Sequence, residues 1–562
     1  MRTAAGNVVG ALVRALVACC LCIPVWYAFQ LTATAADGQS PRSVVAASHS
    51  HSGAAGASAR HKVKRGKKHK HKHKHRKPRP VIPAPVPHPS APPVDEPSPP
   101  PDAPPQPTDP PAGTVPIPDS GSIAFPGETF VPLEMGQFAR PAAAACADNS
   151  RHIEVPSASA ATISAGLAAA TPGTTVHVKS GSYSENQGDW FSLAMDVANV
   201  CLVSDGGPVV LSAASGQTYG LIVSADDSVV EGIELRGFSY NISLGDGDRT
   251  QRAVTLENMV VGSPAGAWRE GIIAYPDHRS LPGQPPTLDG LLLRNVRIAG
   301  TDLGISCNAG PCQHWWLDHV SVTGRSGSQD SGSDTFAVES GRQIAVVDSV
   351  FTTSAADGID TKATDVLVLR CQVRDASRNG IKLWSGGDVI NSVVDGSGAD
   401  ASLVGDGAGR YRYLHDLVTR HDPDGSGYVG TWGYDTNAAL SVEFTNTIFS
   451  GNAAGGLFVD SNGQVNLANN LFSDTGSTLL DYRGSITLID AGGLSTLRAS
   501  GLGSGNLLGS PGFVDRSARD YHTTASSPAR DSAAAAVSLG TDLYGNARVA
   551  GALADIGPAE SP

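Results

Sequence analysis

The sequence predicts an all-β solenoid, a single stack of parallel coils. Two observations carry the prediction and a third excludes its main rival. A short signature (apolar, variable, small polar, variable, apolar) recurs as LENMV (256–260), LRNVRI (293–298), LDHVSV (317–322), VDSVF (347–351), LRCQV (369–373), VINSV (389–393), LHDLV (414–418), FTNTIF (444–449) and LANNLF (467–472). Successive copies stand 20 to 37 residues apart, the period of a unit that cannot bury its own apolar face and must stack on its neighbours. Glycine is abundant at 64 residues while aromatics make up 6%, a balance that suits many short strands and turns. No helical run is visible between residues 200 and 480, whereas an ordinary doubly wound α/β chain needs about a dozen residues of helix between parallel strands.

The middle position of the signature reads Asn258, Asn295, His319, Ser349, Cys371 and Asn391, then His415 or Asp416 after a shift, then Asn446 and Asn469. Stacked amides at a turn bond along their column and to turn backbone. Cys371 fits the column, so its expected role is structural rather than catalytic. The period gives about ten to twelve coils.

Taken in order, residues 1–36 read as an export signal. Arg2 and Arg14 precede the apolar run ALVACCLCIPVWYAF, and Ala33-Thr34-Ala35 has the form of a cleavage site. An uncleaved membrane anchor is the alternative, because residues 15–33 are almost long enough to span. Either predicts a secreted or cell-surface attached protein. Residues 37–120 read as a disordered arm and linker. Residues 60–79 hold 12 Lys/Arg and five His, a self-repelling block that reads equally as an arm holding an anionic cell-wall or membrane surface and as a plain solvated tail. Residues 78–120 contain 19 Pro, an extended spacer. Residues 121–562 carry 26 basic and 47 acidic side chains, a net charge of −21. That argues against nucleic acid as a partner, and the self-contained stack is expected to be a monomer.

The folded body is expected over 121–504, followed by a distinct segment, 505–562. Ser157 or Ser159 would cap a short Ala-rich helix that Pro172-Gly173 ends. Of the body cysteines (Cys146, Cys201, Cys307, Cys312 and Cys371), Cys307 and Cys312 flank NAGP, a tight loop that a disulfide would close. No CxxC pair occurs in the body, which disfavours structural zinc.

Chemistry-bearing residues concentrate between Ser331 and Gly398. Set beneath one another, DTFAVE (334–339), DGIDTK (357–362) and NGIKLW (379–384) place Phe336, Ile359 and Ile381 in one inward row and Val338, Thr361 and Leu383 in the next. Side chains alternate along a strand. Ala337, Asp360 and Lys382 therefore form one outward row, and Glu339, Lys362 and Trp384 another. Carboxylates, ammonium groups and an indole would share one small patch.

Within residues 505–562 the chain reads GSPGFVDRSARDYHTTASSPARDSA…TDLYGNARVAGALADIGPAE. With its pieces Pro511–Asp515, Asp520–His522, Ser527–Asp531, Asp542–Arg548 and Asp555–Glu560, this segment resembles the C-terminal region common in bacterial surface β-helix proteins. It is expected to cap the last coil irregularly. The helix, the VHVKSGSY turn and the repeats together resemble the pectin-lyase-like superfamily. The resemblance implies a right-handed parallel β-helix with an N-terminal capping helix. Many members are polysaccharide lyases, hydrolases, esterases or epimerases, and others are adhesins.

The resemblance implies a polysaccharide as partner and, in its calcium-dependent pectate lyases, Asp ligands for Ca2+ with a Lys or Arg as base. On this chain Asp334, Asp357 and Asp360 would supply metal oxygens, Lys382 or Lys362 would take the proton, Arg378 would clamp a sugar carboxylate, and Trp384 and Glu339 would contact the sugar. The chain departs from the tight carboxylate cluster of those lyases at Ala356. The bland reading is that Asp360 and Lys382, and Glu339 and Lys362, neutralise each other in a non-catalytic surface or adhesion module. A hydrolase would need two carboxyls about 5–9.5 Å apart, as Asp334 above Asp357 would provide. A second candidate, RHDPDGSGYVGTWGYD, offers Asp422, Asp424 and Asp435 to Ca2+ and Tyr428, Trp432 and Tyr434 to sugar. An ordinary glycine-rich loop is the favoured reading there.

Overall fold

The computed structural model describes residues 146–561 except 147, 216, 246–248, 263–268, 275–287, 309, 326–331, 399–400, 422–427, 434–438, 454, 461 and 535–539, together with the backbone of the strands Ile123–Phe125 and Glu128–Phe130. The signal, basic arm and proline-rich spacer expected over residues 1–120 lie outside the described residues.

About eleven turns of right-handed parallel β-helix make up the body. Each turn gives one strand to a 13-stranded sheet and typically two to a 23-stranded sheet. In the smaller sheet Leu221, Ile242, Ile272, Ile305, Phe336, Ile359, Ile381 and Leu403 stand in register. None is more than 1% exposed, so this row and its counterparts from the larger sheet fill one continuous core. The row breaks at Gly430, where a Cβ would stand 2.4 Å from the Trp432 ring. The indole occupies that gap, edge-on to Tyr413 and Phe444 at 5.7 and 5.5 Å. Trp432 is thus a core residue and not a sugar platform.

In the larger sheet most turns bend at a residue with φ near +50° (Asn258, Asn295, His319, Asp348, Arg370, Asn391, His415, Asn446 or Asn469), which stands between two strands or, for Asn295 and His319, within one long strand. The single polar column expected from the sequence is therefore two. Ser349 and Cys371 belong one place further along, with Ser392, Asp416, Thr447 and Asn470. Left-handed backbone suits Asn but admits Asp, His and Arg, so alignment by size and polarity slipped at Asp348 and Arg370. The second column forms the ladder. Ser349 Oγ accepts from Val320 N (3.0 Å), Ser392 Oγ from Cys371 N (3.1 Å), Asp416 Oδ1 from Ser392 N (2.8 Å) and Asn470 Oδ1 from Thr447 N (2.9 Å). Cys371 is fully buried; desolvation pushes its thiol up to about 12, which fits a structural role.

The helix spans Ile163–Ala168 and is capped by Thr162, whose hydroxyl accepts from Ala165 N at 3.1 Å. Ser157 instead closes the preceding turn by accepting from Ala160 N. Disulfides join Cys307 to Cys312, as the NAGP loop suggested, and Cys146 to Cys201.

The segment after 505 covers the flank of the later turns. Val393, Leu417, Ile448 and Leu471, in register and pointing outward, form a second apolar core with Tyr521, Ala529, Ala533 and Ile556. The left-handed turn residues hold the tail: Asn391 donates to Thr541 O (2.9 Å), and Asn446 Oδ1 accepts from Ala534 N (2.8 Å). Buried Arg548 reaches the Asp555 and Gly557 carbonyls at 2.8 and 2.6 Å and Glu560 at 3.1 Å. At the end of the coils, helix Ala491–Ala499 buries Leu497 in the main core. Irregular structure does cover the solenoid, as expected, but this tail lies along its side.

Candidate functional site

The strands Phe336–Val338, Ile359–Thr361 and Ile381–Leu383 stack in the expected register, with Ala337 opposite Asp360 and Asp360 opposite Lys382. The glycine before each of the last two strands is a packing requirement. A Cβ on Gly358 or Gly380 would stand 2.2 Å from Val373 or Val394, so the DGID and NGIK motifs have a reason in the fold alone.

Asp334 and Asp357 begin a turn ladder. Asp334 Oδ1 accepts from Asp357 N (2.8 Å), Asp357 Oδ1 accepts from Asn379 N (3.0 Å) and Asn379 Nδ2 (2.8 Å), and Asn379 Oδ1 accepts from Ala401 N (3.1 Å). Asn379 has the same position in its coil as the two aspartates. The sequence comparison aligned it with them without giving it a site role. Asp357 Oδ2 and Asp360 Oδ2 converge on Lys382, whose Nζ lies 3.5 Å from the first and 3.4 Å from the second. Trp384 Nε1 donates to Asp360 Oδ1 at 3.0 Å. The Lys382 and Lys362 ammonium groups stand 4.8 and 5.9 Å from the Trp384 ring centroid, within cation–π range. Lys362 pairs with Glu339, and these side chains are 39% and 44% exposed, a pair that water weakens.

Burial dominates the charge states. It drives the Asp334 carboxyl well above its usual range, with Asp357 and Asp360 adding to the effect. It lifts Asp360 to about 6; Asp357 and Glu339 reinforce the shift, while Lys382 and Lys362 oppose it. For Lys382, burial favours the neutral amine, but Asp360 and Asp357 outweigh it and the pKa rises. Lys382 therefore stands as an ammonium, the wrong form for taking a proton. Arg378 is partly buried and acts on Lys382 through its charge.

Calcium does not fit the three aspartates as arranged. One oxygen each of Asp334 and Asp357 accepts backbone N–H, and Lys382 stands between Asp357 and Asp360. Among the described residues, the group that brings three ligand-type atoms within 4.8 Å is Asp318, His319 and Asp348. There Arg370 already holds Asp348 with two bonds, at 2.6 and 2.8 Å. In the second candidate loop, Asp422, Asp424, Tyr434 and Asp435 lie outside the described residues, and Tyr428 donates to Asp481 at 2.7 Å.

No family model matches the chain and no curated protein matches it. Among solved structures it is similar to pectate lyase Pel9A, with 12% identity over 74% of this chain and 97% of that one and a TM-score of 0.31. It is also similar to a rhamnogalacturonan lyase, with 10% identity over 65% and 91% and a TM-score of 0.33. Likenesses this distant carry no argument about substrate or reaction.

Proposed function

We propose that the chain is an exported, surface-held β-helix that binds an acidic polysaccharide on the outer face of the 13-stranded sheet, at Glu339, Lys362, Lys382 and Trp384. The supporting observation is the indole flanked by two ammonium groups beside a half-exposed, exchangeable ion pair. A sugar carboxylate would replace Glu339 on Lys362, and the pyranose ring would lie against Trp384. Arg378 would add positive charge. Protonation of Asp360 near pH 6 removes a negative charge beside Lys382, while uronate carboxylates remain ionised until about pH 4. Binding should strengthen as pH falls from 7.5 to 5. Affinity electrophoresis of the full chain in uronate polysaccharide gels checks this. Retardation that is greater at pH 5 and lost in Lys362→Ala supports the site, and no retardation at either pH sinks it.

Cleavage by β-elimination is the second reading, favoured by the perturbed carboxyls of Asp334 and Asp360, since such groups gather at working sites. With Lys382 cationic, it would neutralise the sugar carboxylate, and ionised Asp360 would be the candidate base. Ultraviolet absorbance of an unsaturated product, present in the wild type and absent in Asp360→Asn, is the expected result. Binding without absorbance leaves a non-catalytic surface module.

A further inference from the structure

The first coils of the larger sheet carry two histidines far from the candidate site. In strands Arg151–Val155 and Thr174–Tyr183, Ile153, Val155, Val176 and Val178 point into the core. Side chains alternate along a strand, so His152, Glu154 and His177 point out. The strands run parallel, with His152 opposite Thr175 and Glu154 opposite His177. His152 reaches across diagonally, and its Nδ1 lies 2.9 Å from His177 Nε2. His152 and Glu154 are exposed and His177 is partly buried, so ions in solution reach all three.

Two imidazole nitrogens this close face one another across a single proton, donated by one ring and accepted by the other. The space between them suits one cation. Metal–nitrogen bonds of about 2.0–2.1 Å put two ligand nitrogens about 2.9 Å apart at a right angle and about 3.3 Å apart at the tetrahedral angle. A few tenths of an ångström of ring movement therefore turns both lone pairs onto one ion. The backbone beneath is held in place: Asn149 Nδ2 donates to Thr175 Oγ1 at 3.0 Å, the Thr175 hydroxyl donates to Cys146 O at 3.1 Å, and Cys146 is bonded to Cys201 on the next rung.

We infer that His152, His177 and Glu154 form a binding site for one divalent transition metal ion of the Zn2+, Cu2+ or Ni2+ class. Imidazole suits these metals, whereas calcium and magnesium take oxygen ligands. The ion replaces the shared proton, Glu154 adds a carboxylate from the same outward face, and water fills the remaining positions. Bound there, the metal staples the first coil to the second, near the first end of the described coils, where a unit draws stability from fewer neighbours. This inference is independent of the polysaccharide reading.

Hydrogen exchange of the full-length chain, read peptide by peptide by mass spectrometry during a Zn2+ titration, tests it. Peptide resolution separates this site from the five histidines of residues 60–79. An ion that binds the closed coil suppresses its opening, so the amides of Arg151–Val155 should exchange roughly tenfold more slowly at free Zn2+ ten times the titration midpoint. His152→Gln and His177→Gln should each abolish the slowing and keep the metal-free rate. Glu154→Gln should raise the midpoint roughly tenfold, no less than the loss of a hydrogen bond supporting a metal ligand. His152 is exposed, so its variant decides the outcome should His177→Gln misfold. No slowing in the wild type, or slowing that survives either histidine substitution, overturns the site. An unchanged midpoint in Glu154→Gln overturns the three-ligand set.

Discussion

At residue scale, Asp360 carries the informative tension. Its carboxylate is buried, faces Lys382 and still titrates near 6, above the ordinary value of about 3.9. Between those values the folded chain holds a proton that the unfolded chain has released. Stability is thus favoured below about pH 4 and falls as pH rises through 6. Asp360→Asn removes this slope. Whatever its constant offset from losing the ion pair, its stability relative to wild type should climb between pH 4 and 6.5 and then level off. Urea unfolding at a series of pH values reads this directly, and parallel curves for the two proteins would contradict the assignment. Glu339 and Lys362, both well exposed, should contribute no more than about 1 kcal/mol as a pair.

At element scale, the turn ladder makes each coil depend on the next. Ser392 Oγ accepts the Cys371 amide, and Ser392 is 1% exposed. Ser392→Ala leaves that N–H buried without its partner and should cost about 1–3 kcal/mol, measured by denaturant unfolding with an unchanged m-value. The period-two alternation of strands was legible: Phe336, Ile359 and Ile381 stack as the sequence placed them, and so do Asp360 and Lys382. The turn columns were not, because the left-handed position is selected by backbone geometry and its occupants Asp348 and Arg370 share neither size nor charge with Asn. The ion pairs at the candidate site were foreseen as the bland reading, whereas the burial that raises the Asp334 carboxyl depends on everything around it.

At the scale of the whole molecule, the outward row just past the turn changes character along the solenoid. It reads Arg297, Ser321, Val350 and Gln372, then Val393, Leu417, Ile448 and Leu471. The unbroken apolar part marks the reach of the C-terminal tail, a signal that was present in the repeats. Removal of residues 511–562 should uncover it, giving a chain that binds a hydrophobic dye and self-associates in light scattering. A monomeric, dye-silent truncation would mean that the tail is dispensable. Replacing buried Arg548 with Met should loosen the tail more than any surface substitution, since the carbonyls of Asp555 and Gly557 and the carboxylate of Glu560 lose their shared partner.

By itself the sequence determined the solenoid, the inward rows and the juxtaposition of Asp360, Lys382 and Trp384. Alternation and repeat period are local properties of a chain that must stack to bury its apolar face. Only the tertiary structure decided which oxygens bond backbone and which meet Lys382, that Trp432 fills a gap in the core, and that the tail lies on the flank. Those outcomes depend on distances and desolvation between residues up to about 150 positions apart, and nothing in a single strand encodes them.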